Sequence, residues 1–168
     1  MKVYLTTGTT DYLLKVKTNH TSENLLLMGD DDSSVILHET NGDTIFNHPR
    51  KYEVIESTGT FEQARFAVLN NIAITDEGRP LFEYRLLNRP RDIETQPGFV
   101  AIRALRPLNS NTYVLLTLWQ DQADFTKWKA TEAFGSFYKK LEEKTGAQPS
   151  LIFSSAPYIN TYSIVEEE

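Results

Sequence analysis

A strand, a helix and two further strands follow one another near the start of the chain, and the same order returns in its second half. Few folds accept such a doubled pattern. The first run opens with a strand at Lys2–Thr6, and Gly8-Thr9-Thr10 then signals a helix start. Tyr12, Leu13 and Val16 continue at helical spacing. Strands at Asn24–Met28 and Val35–Glu39 flank the acidic turn Gly29–Ser34, Asn41-Gly42 closes the run, and a short strand is expected at Tyr52–Glu56.

The second run is longer. Phe66–Thr75 reads as a strand, and Glu77-Gly78-Arg79-Pro80 starts a helix that places proline where its missing N–H costs nothing. Phe99–Leu105 and Thr112–Trp119 read as a strand pair, Asp121 caps a helix through Trp128, and Thr131 caps another through Lys144. Ile159–Val165 is a final strand. This β-α-β-β-α-β order is the ferredoxin-like one. The fold class is therefore α+β, with a complete unit over 62–168 preceded by a degenerate β-α-β-β unit over 1–61.

A chain of 168 residues accommodates one domain or two small ones. Its net charge of −6 argues against a nucleic-acid or anionic-membrane binder. The absence of cysteine removes disulfides, thiolate metal sites and cysteine nucleophiles together. The first ten residues hold no apolar core of a secretion signal, so the chain is expected to be cytoplasmic, with no membrane partner. His20, His38 and His48 all fall in the first third without metal-ligand spacing, and surface or turn roles are expected of them.

Three features carry candidate chemistry. Asn70-Asn71 interrupts an apolar strand, where asparagine is disfavoured. One of the two amides must face inward, either held by a structural hydrogen bond or aimed into a pocket. Phe125 and Trp128, then Phe134, Phe137, Tyr138 and Leu141, form an aromatic stripe at helical spacing, core by pattern, which converges on one ligand if the helix breaks near Thr131. Six of the eight arginines lie between Arg79 and Arg106, giving a local charge of +3, either a solvated face or an anchor for carboxylates.

The segments Leu69-Asn70-Asn71-Ile72-Ala73-Ile74-Thr75, Leu118-Trp119 and Ala123-Asp124-Phe125-Thr126-Lys127-Trp128 resemble the antibiotic-biosynthesis-monooxygenase (ABM) domain, within it the Isd-type haem-degrading monooxygenases. The whole chain, including His38–Thr44, is similar to the two-domain, HmoB-like members and, more distantly, to TRAP signalling proteins. The resemblance implies a haem between helices and sheet, acting as cofactor and substrate, opened with O2 and an external reductant to release iron. It implies that Asn70 supplies an amide on the distal side of the haem and that Trp128 presses on the porphyrin. Phe134 would join that binding surface, and Arg79 and Arg85 are candidates for the propionates. The family histidine is replaced by Tyr138, a possible axial ligand to the haem iron. Haem storage without turnover, or TRAP-like regulation without haem, are the alternatives. The doubled run implies a monomer imitating the dimer barrel of single-domain relatives.

Overall fold

A computed structural model describes residues 1–30, 32–141 and 152–166, with backbone alone for 137–141. Its strands are β1 (Lys2–Thr9), β2 (Asn24–Gly29), β3 (Ser33–Thr40), β4 (Arg50–Thr58), β5 (Phe66–Ala73), β6 (Phe99–Pro107), β7 (Thr112–Trp119) and β8 (Tyr158–Ile164). The helices are α1 (Thr10–Asn19), α2 (Arg79–Leu87), α3 (Gln122–Lys129) and α4 (Glu132–Leu141), with a 3-10 turn at Asp92–Thr95.

The strands close into one antiparallel barrel in the order β1-β3-β2-β8-β5-β7-β6-β4. Cut at its two seams, this ring contains β4-β1-β3-β2 and β8-β5-β7-β6. Each half thus places its fourth strand beside its first and its third beside its second. The β4–β6 seam runs from Tyr52↔Pro107 to Thr58↔Ile102, with a bulge at Ile55. The β2–β8 seam is shorter, pairing Met28↔Ile164 and Gly29↔Ser163 and continuing through Val165 N–H to the Leu27 carbonyl at 2.8 Å.

Strict alternation sorts the side chains into two layers. Val3, Leu5, Leu26, Leu37, Leu69, Leu105 and Leu116 fill the barrel lumen, from both halves. The opposite faces are covered separately. α1 lies over Leu25, Leu27 and Ile36 through Leu13, joined by Ile45 and Phe46 from the β3–β4 loop. α2, α3 and α4 lie over Val68, Ile72, Ile102, Tyr113 and Leu115.

An ion pair crosses the lumen. Arg103 on β6 donates from Nε to Glu39 Oε2 on β3 at 2.6 Å, and both side chains are buried. The same guanidinium donates to the carbonyls of Thr58 (3.0 Å) and Gly59 (2.8 Å), so most of its donors have partners. Gly59 has φ +81° and its Cα faces the Val100 carbonyl, where any Cβ would collide at 2.2 Å. The connection out of β4 therefore requires glycine.

Several expectations shift at their edges. The first strand runs to Thr9, because Thr7, Gly8 and Thr9 pair with Val35, Ser34 and Ser33; Thr9 then serves as N-cap for α1. The helix expected from Glu77 spans Arg79–Leu87, and the 3-10 turn that follows had no sequence signal. The expected helix end at Lys144 lies outside the described residues. His38 corrects the reading of the histidines as surface or turn residues. It is completely buried on β3, because Glu23 Oε2 at 2.8 Å and Thr44 Oγ1 at 3.1 Å occupy its two ring nitrogens while Tyr4 and Phe46 flank the ring.

Candidate functional site

The two asparagines divide the two roles left open for them. Asn71 faces the lumen side, and its amide nitrogen lies within hydrogen-bond distance of the carbonyls of Leu69 (3.1 Å) and Tyr158 (3.3 Å) and of Asn160 Oδ1 (2.9 Å). It ties β5 to β8 and is structural. Asn70 faces the helices, 2 % exposed, opposite Leu115 on β7 and Ile159 on β8. A cavity lies in front of it, walled by Val68, Asn70, Leu115 and Thr117 from the sheet, Ile93 from the 3-10 turn, and Phe125, Trp128 and Phe134 from the helices.

Local chemistry explains how those helices bring Trp128 to Asn70. Asp121 caps α3 by accepting the Ala123 N–H at 2.9 Å. α3 ends at Lys129, and α4 begins after Thr131, whose hydroxyl donates to the Trp128 carbonyl at 2.7 Å and accepts the Phe134 N–H at 3.2 Å. One threonine closes the first helix and opens the second. The break expected near Thr131 is therefore present, and it turns Phe134 back onto Trp128. The two rings meet edge to face, 6.0 Å between centroids and 90° between planes.

Trp128 is 2 % exposed and the remaining space is about 10 Å3, room for a single water at most. The walls are apolar and aromatic except for the Asn70 amide and the Thr117 hydroxyl. Tyr138 lies on α4, but its side chain falls outside the described residues. Thr117 was not singled out as a site residue from the sequence. Its one signal is that it interrupts the apolar run Tyr113–Trp119.

The arginine segment proves to be largely partnered. Arg103 holds Glu39, and Arg106 forks onto Glu83 at 2.9 and 2.6 Å. Arg89 reaches Glu56 at 2.6 Å, and Arg91 bonds the same carboxylate. Glu39 and Glu56 come from outside the segment, so two of its three excess charges are neutralised across the fold. Arg79 lies at the start of α2, donates to the Ser110 carbonyl at 2.8 Å and rests over the Tyr113 ring, 5.7 Å from its centroid. Neither Arg79 nor Arg85, also on α2, lines the cavity.

On α2, Glu83 accepts a hydrogen bond from the Tyr113 hydroxyl as well as the Arg106 fork. The Arg106 hydrogen bonds hold the Glu83 carboxyl below the usual carboxylate range, overcoming the opposing effect of burial. Burial, and then the bond to Glu83, push the Tyr113 phenol well above its ordinary value. Burial alone would raise the Glu56 carboxyl, but Arg89 and Arg91 outweigh it and leave it lowered. Among the described residues, no group of three or more His, Asp or Glu side chains gathers to hold a metal ion. No described helix is long and apolar enough to cross a membrane.

Comparison with known proteins gives this arrangement a context. Residues 65–140, which include Asn70, Trp128 and all but the last residue of α4, match the family model for antibiotic biosynthesis monooxygenase. The chain is 30% identical over 140 residues to signal transduction protein TRAP of Staphylococcus epidermidis, covering 83% of this chain and 84% of that protein. It is 27% identical over 128 residues to a haem-degrading monooxygenase of Listeria monocytogenes, covering 76% and 77%. A solved structure described as a major regulator of staphylococcal pathogenesis superposes with a TM-score of 0.85 at 26% identity, covering 99% of this chain and 100% of that one. A haem-degrading enzyme from Listeria monocytogenes shares the fold, with a TM-score of 0.72 at 23% identity over 97% and 99% of the two chains.

Proposed function

The chain belongs to the antibiotic biosynthesis monooxygenase (ABM) domain family, and from that premise we propose that it binds haem against the outer face of β5 and β7 and degrades it as a monooxygenase. The observation that carries this reading is the placement of Asn70 and Trp128, fifty-eight residues apart in sequence, on opposite walls of one cavity.

The residues present suit the group chemically. Apolar and aromatic walls favour a flat macrocycle, and the Asn70 amide on this face of the sheet would be the polar group turned toward it. Volume is what the cavity lacks, since a ligand of drug size occupies roughly 300–1,000 Å3. Binding therefore requires α4 to move away from α3, and the Ala130–Thr131 break is where the backbone would turn. Haem supplies the redox chemistry and is also the substrate, with O2 and an external reductant. The protein's part is to orient it. With haem bound, Asn70 would direct its amide at the ligand face toward the sheet, Trp128 would bear on the ring from the helices, and Phe134 would shift outward within the wall. Tyr138 on α4 is the residue that would hold the haem iron, and Arg79 and Arg85 those that would hold the propionates. The two halves of the barrel are proposed to be a complete unit and a partial repeat, so that one chain serves as its own dimer.

The experiment is a hemin titration followed by ascorbate, with a chelator reporting free iron. Degradation predicts a Soret band that forms, then disappears as iron is released, and a clear loss of that turnover in Asn70→Ala and Trp128→Ala. A band that persists under ascorbate indicates storage without turnover. A second reading, TRAP-like regulation without haem, is favoured by the closed cavity of about 10 Å3. It predicts that no Soret band forms at all.

A further inference from the structure

We propose that Arg89, beside the seam between the two halves of the barrel, holds a compact planar oxyanion of the carboxylate class, such as formate or bicarbonate, on its Nε–Nη2 edge. Arg89 follows the C-cap of α2, and its side chain is completely buried. Its Nη1 group donates to Glu56 Oε2 at 2.6 Å and to the Leu86 carbonyl at 2.8 Å. Nε and Nη2 are buried too, and among the described residues neither has a hydrogen-bond partner.

Two other arginines show what that edge recognises. Arg103 turns its Nε and Nη2 onto Glu39 at 2.6 and 3.4 Å, and Arg106 turns the same edge onto Glu83 at 2.9 and 2.6 Å. The N–H bonds along this edge run parallel and match two oxygens of one planar anion. Arg89 carries the same fork, and a buried charged donor left unmatched is costly. A single water would meet the two donors with one oxygen, whereas a planar oxyanion meets each with its own. Charge permits an anion here. Arg89 and Arg91 share the one carboxylate of Glu56, and Glu94 lies 3.4 Å from the half-exposed Arg91 without bonding Arg89. Complete burial restricts the occupant to a few atoms. Glu56 stands on β4 of the N-terminal half, paired across the seam with Ala104 of β6, while Leu86 and Arg89 belong to the C-terminal half. A bound ion therefore strengthens the tie between the halves and links their stability to its concentration.

The test is a formate titration of the full chain, followed in the arginine Nε–H region of a proton–nitrogen correlation spectrum, with thermal melts alongside. The Arg89 resonance is identified by its loss in Arg89→Lys, a variant that keeps a cation opposite Glu56. The expected result is a shift of that resonance that saturates with formate, and a gain in melting temperature that Arg89→Lys lacks. In Glu56→Gln, half-saturation should fall to about a tenth of the wild-type concentration, because a competing negative charge is gone. Benzoate, too large for a completely buried fork, should leave the resonance in place. No saturable formate shift in the wild type, or an equal gain in melting temperature in Arg89→Lys, overturns the inference. A saturable benzoate shift overturns the assignment to a compact ion. Should Arg89→Lys not fold, the Glu56→Gln comparison decides, since unchanged half-saturation there also overturns it.

Discussion

The two halves of the barrel use the same strand order and differ in what they place over it. On the N-terminal half, α1 and the β3–β4 loop seal the outer face with Leu13, Ile45 and Phe46, and its one fully buried imidazole, His38, is enclosed by Glu23 and Thr44. On the C-terminal half, three helices cover the face, and two of them meet at a break that leaves a small cavity over an amide and a hydroxyl. The lumen, by contrast, is built by both halves together. Shared architecture thus resides inside the barrel, and the candidate site lies where the outer coverings diverge. Each expected outcome below either breaks that contrast or sharpens it.

The largest effect is expected in the lumen. Arg103→Met leaves the Glu39 carboxylate buried beside Asn24 without its cation, and such a truncated pair costs about 3–5 kcal/mol. Urea denaturation should show that loss in a single cooperative transition, since Glu39 and Arg103 belong to different halves. Two separated transitions would break the comparison by showing that the halves fold independently. The double variant Arg103→Met, Glu39→Leu should recover most of the loss, because neither charge is then stranded.

The next two effects concern the covering of the C-terminal half. Phe134→Ala removes a half-buried ring and should cost about 1–3 kcal/mol in thermal unfolding, less than a fully buried phenylalanine. It should also speed hemin uptake by opening the cavity, measured by stopped-flow absorbance; slower uptake would mean that Phe134 forms the wall without obstructing it. Thr131→Ala removes the hydroxyl that joins α3 to α4 and should cost about 1 kcal/mol in the same melt. An equivalent change at Thr9, which caps α1 through a longer 3.3 Å bond, should cost less.

Much of this was legible in the sequence, for identifiable reasons. Alternation and turn dipeptides located the strands, and the Asn70-Asn71 pair stood out because amides are out of place there. The break at Thr131 followed from its capping chemistry. Pairwise contacts between distant segments were not legible. His38 is indistinguishable in sequence from a surface histidine, because Glu23 and Thr44 reach it only through the fold. The arginine segment read as +3 because Glu39 and Glu56, which neutralise two of its members, come from β3 and β4. Thr117 looked like a minor interruption because its partner Trp119 lies two residues along the same strand face, a contact that only the extended backbone creates. The cavity's near closure depends on rotamers at Trp128 and Phe134, and no spacing rule reports those.

The smallest effect concerns pH and belongs to the C-terminal half alone. Glu83 is held below the usual carboxylate range chiefly by Arg106, with Tyr113 adding a second bond. A carboxyl whose folded value is lowered binds fewer protons in the native state than in the unfolded chain. Its contribution is therefore fully present above the ordinary carboxylate value and is lost as pH falls through the lowered, folded one. Arg106 is partly exposed, so solvent screens the pair and the effect is modest. Glu56 is likewise lowered, by Arg89 and Arg91 against burial, and gives a background loss in acid that Glu83→Gln retains. The expected outcome is a melting temperature that falls less steeply with acid in Glu83→Gln than in wild type, with the two curves converging at the most acid pH. A parallel pair of curves would show that Glu83 acts on Tyr113 and Arg106 as a neutral acceptor, which would remove charge from this side of the comparison between the two halves.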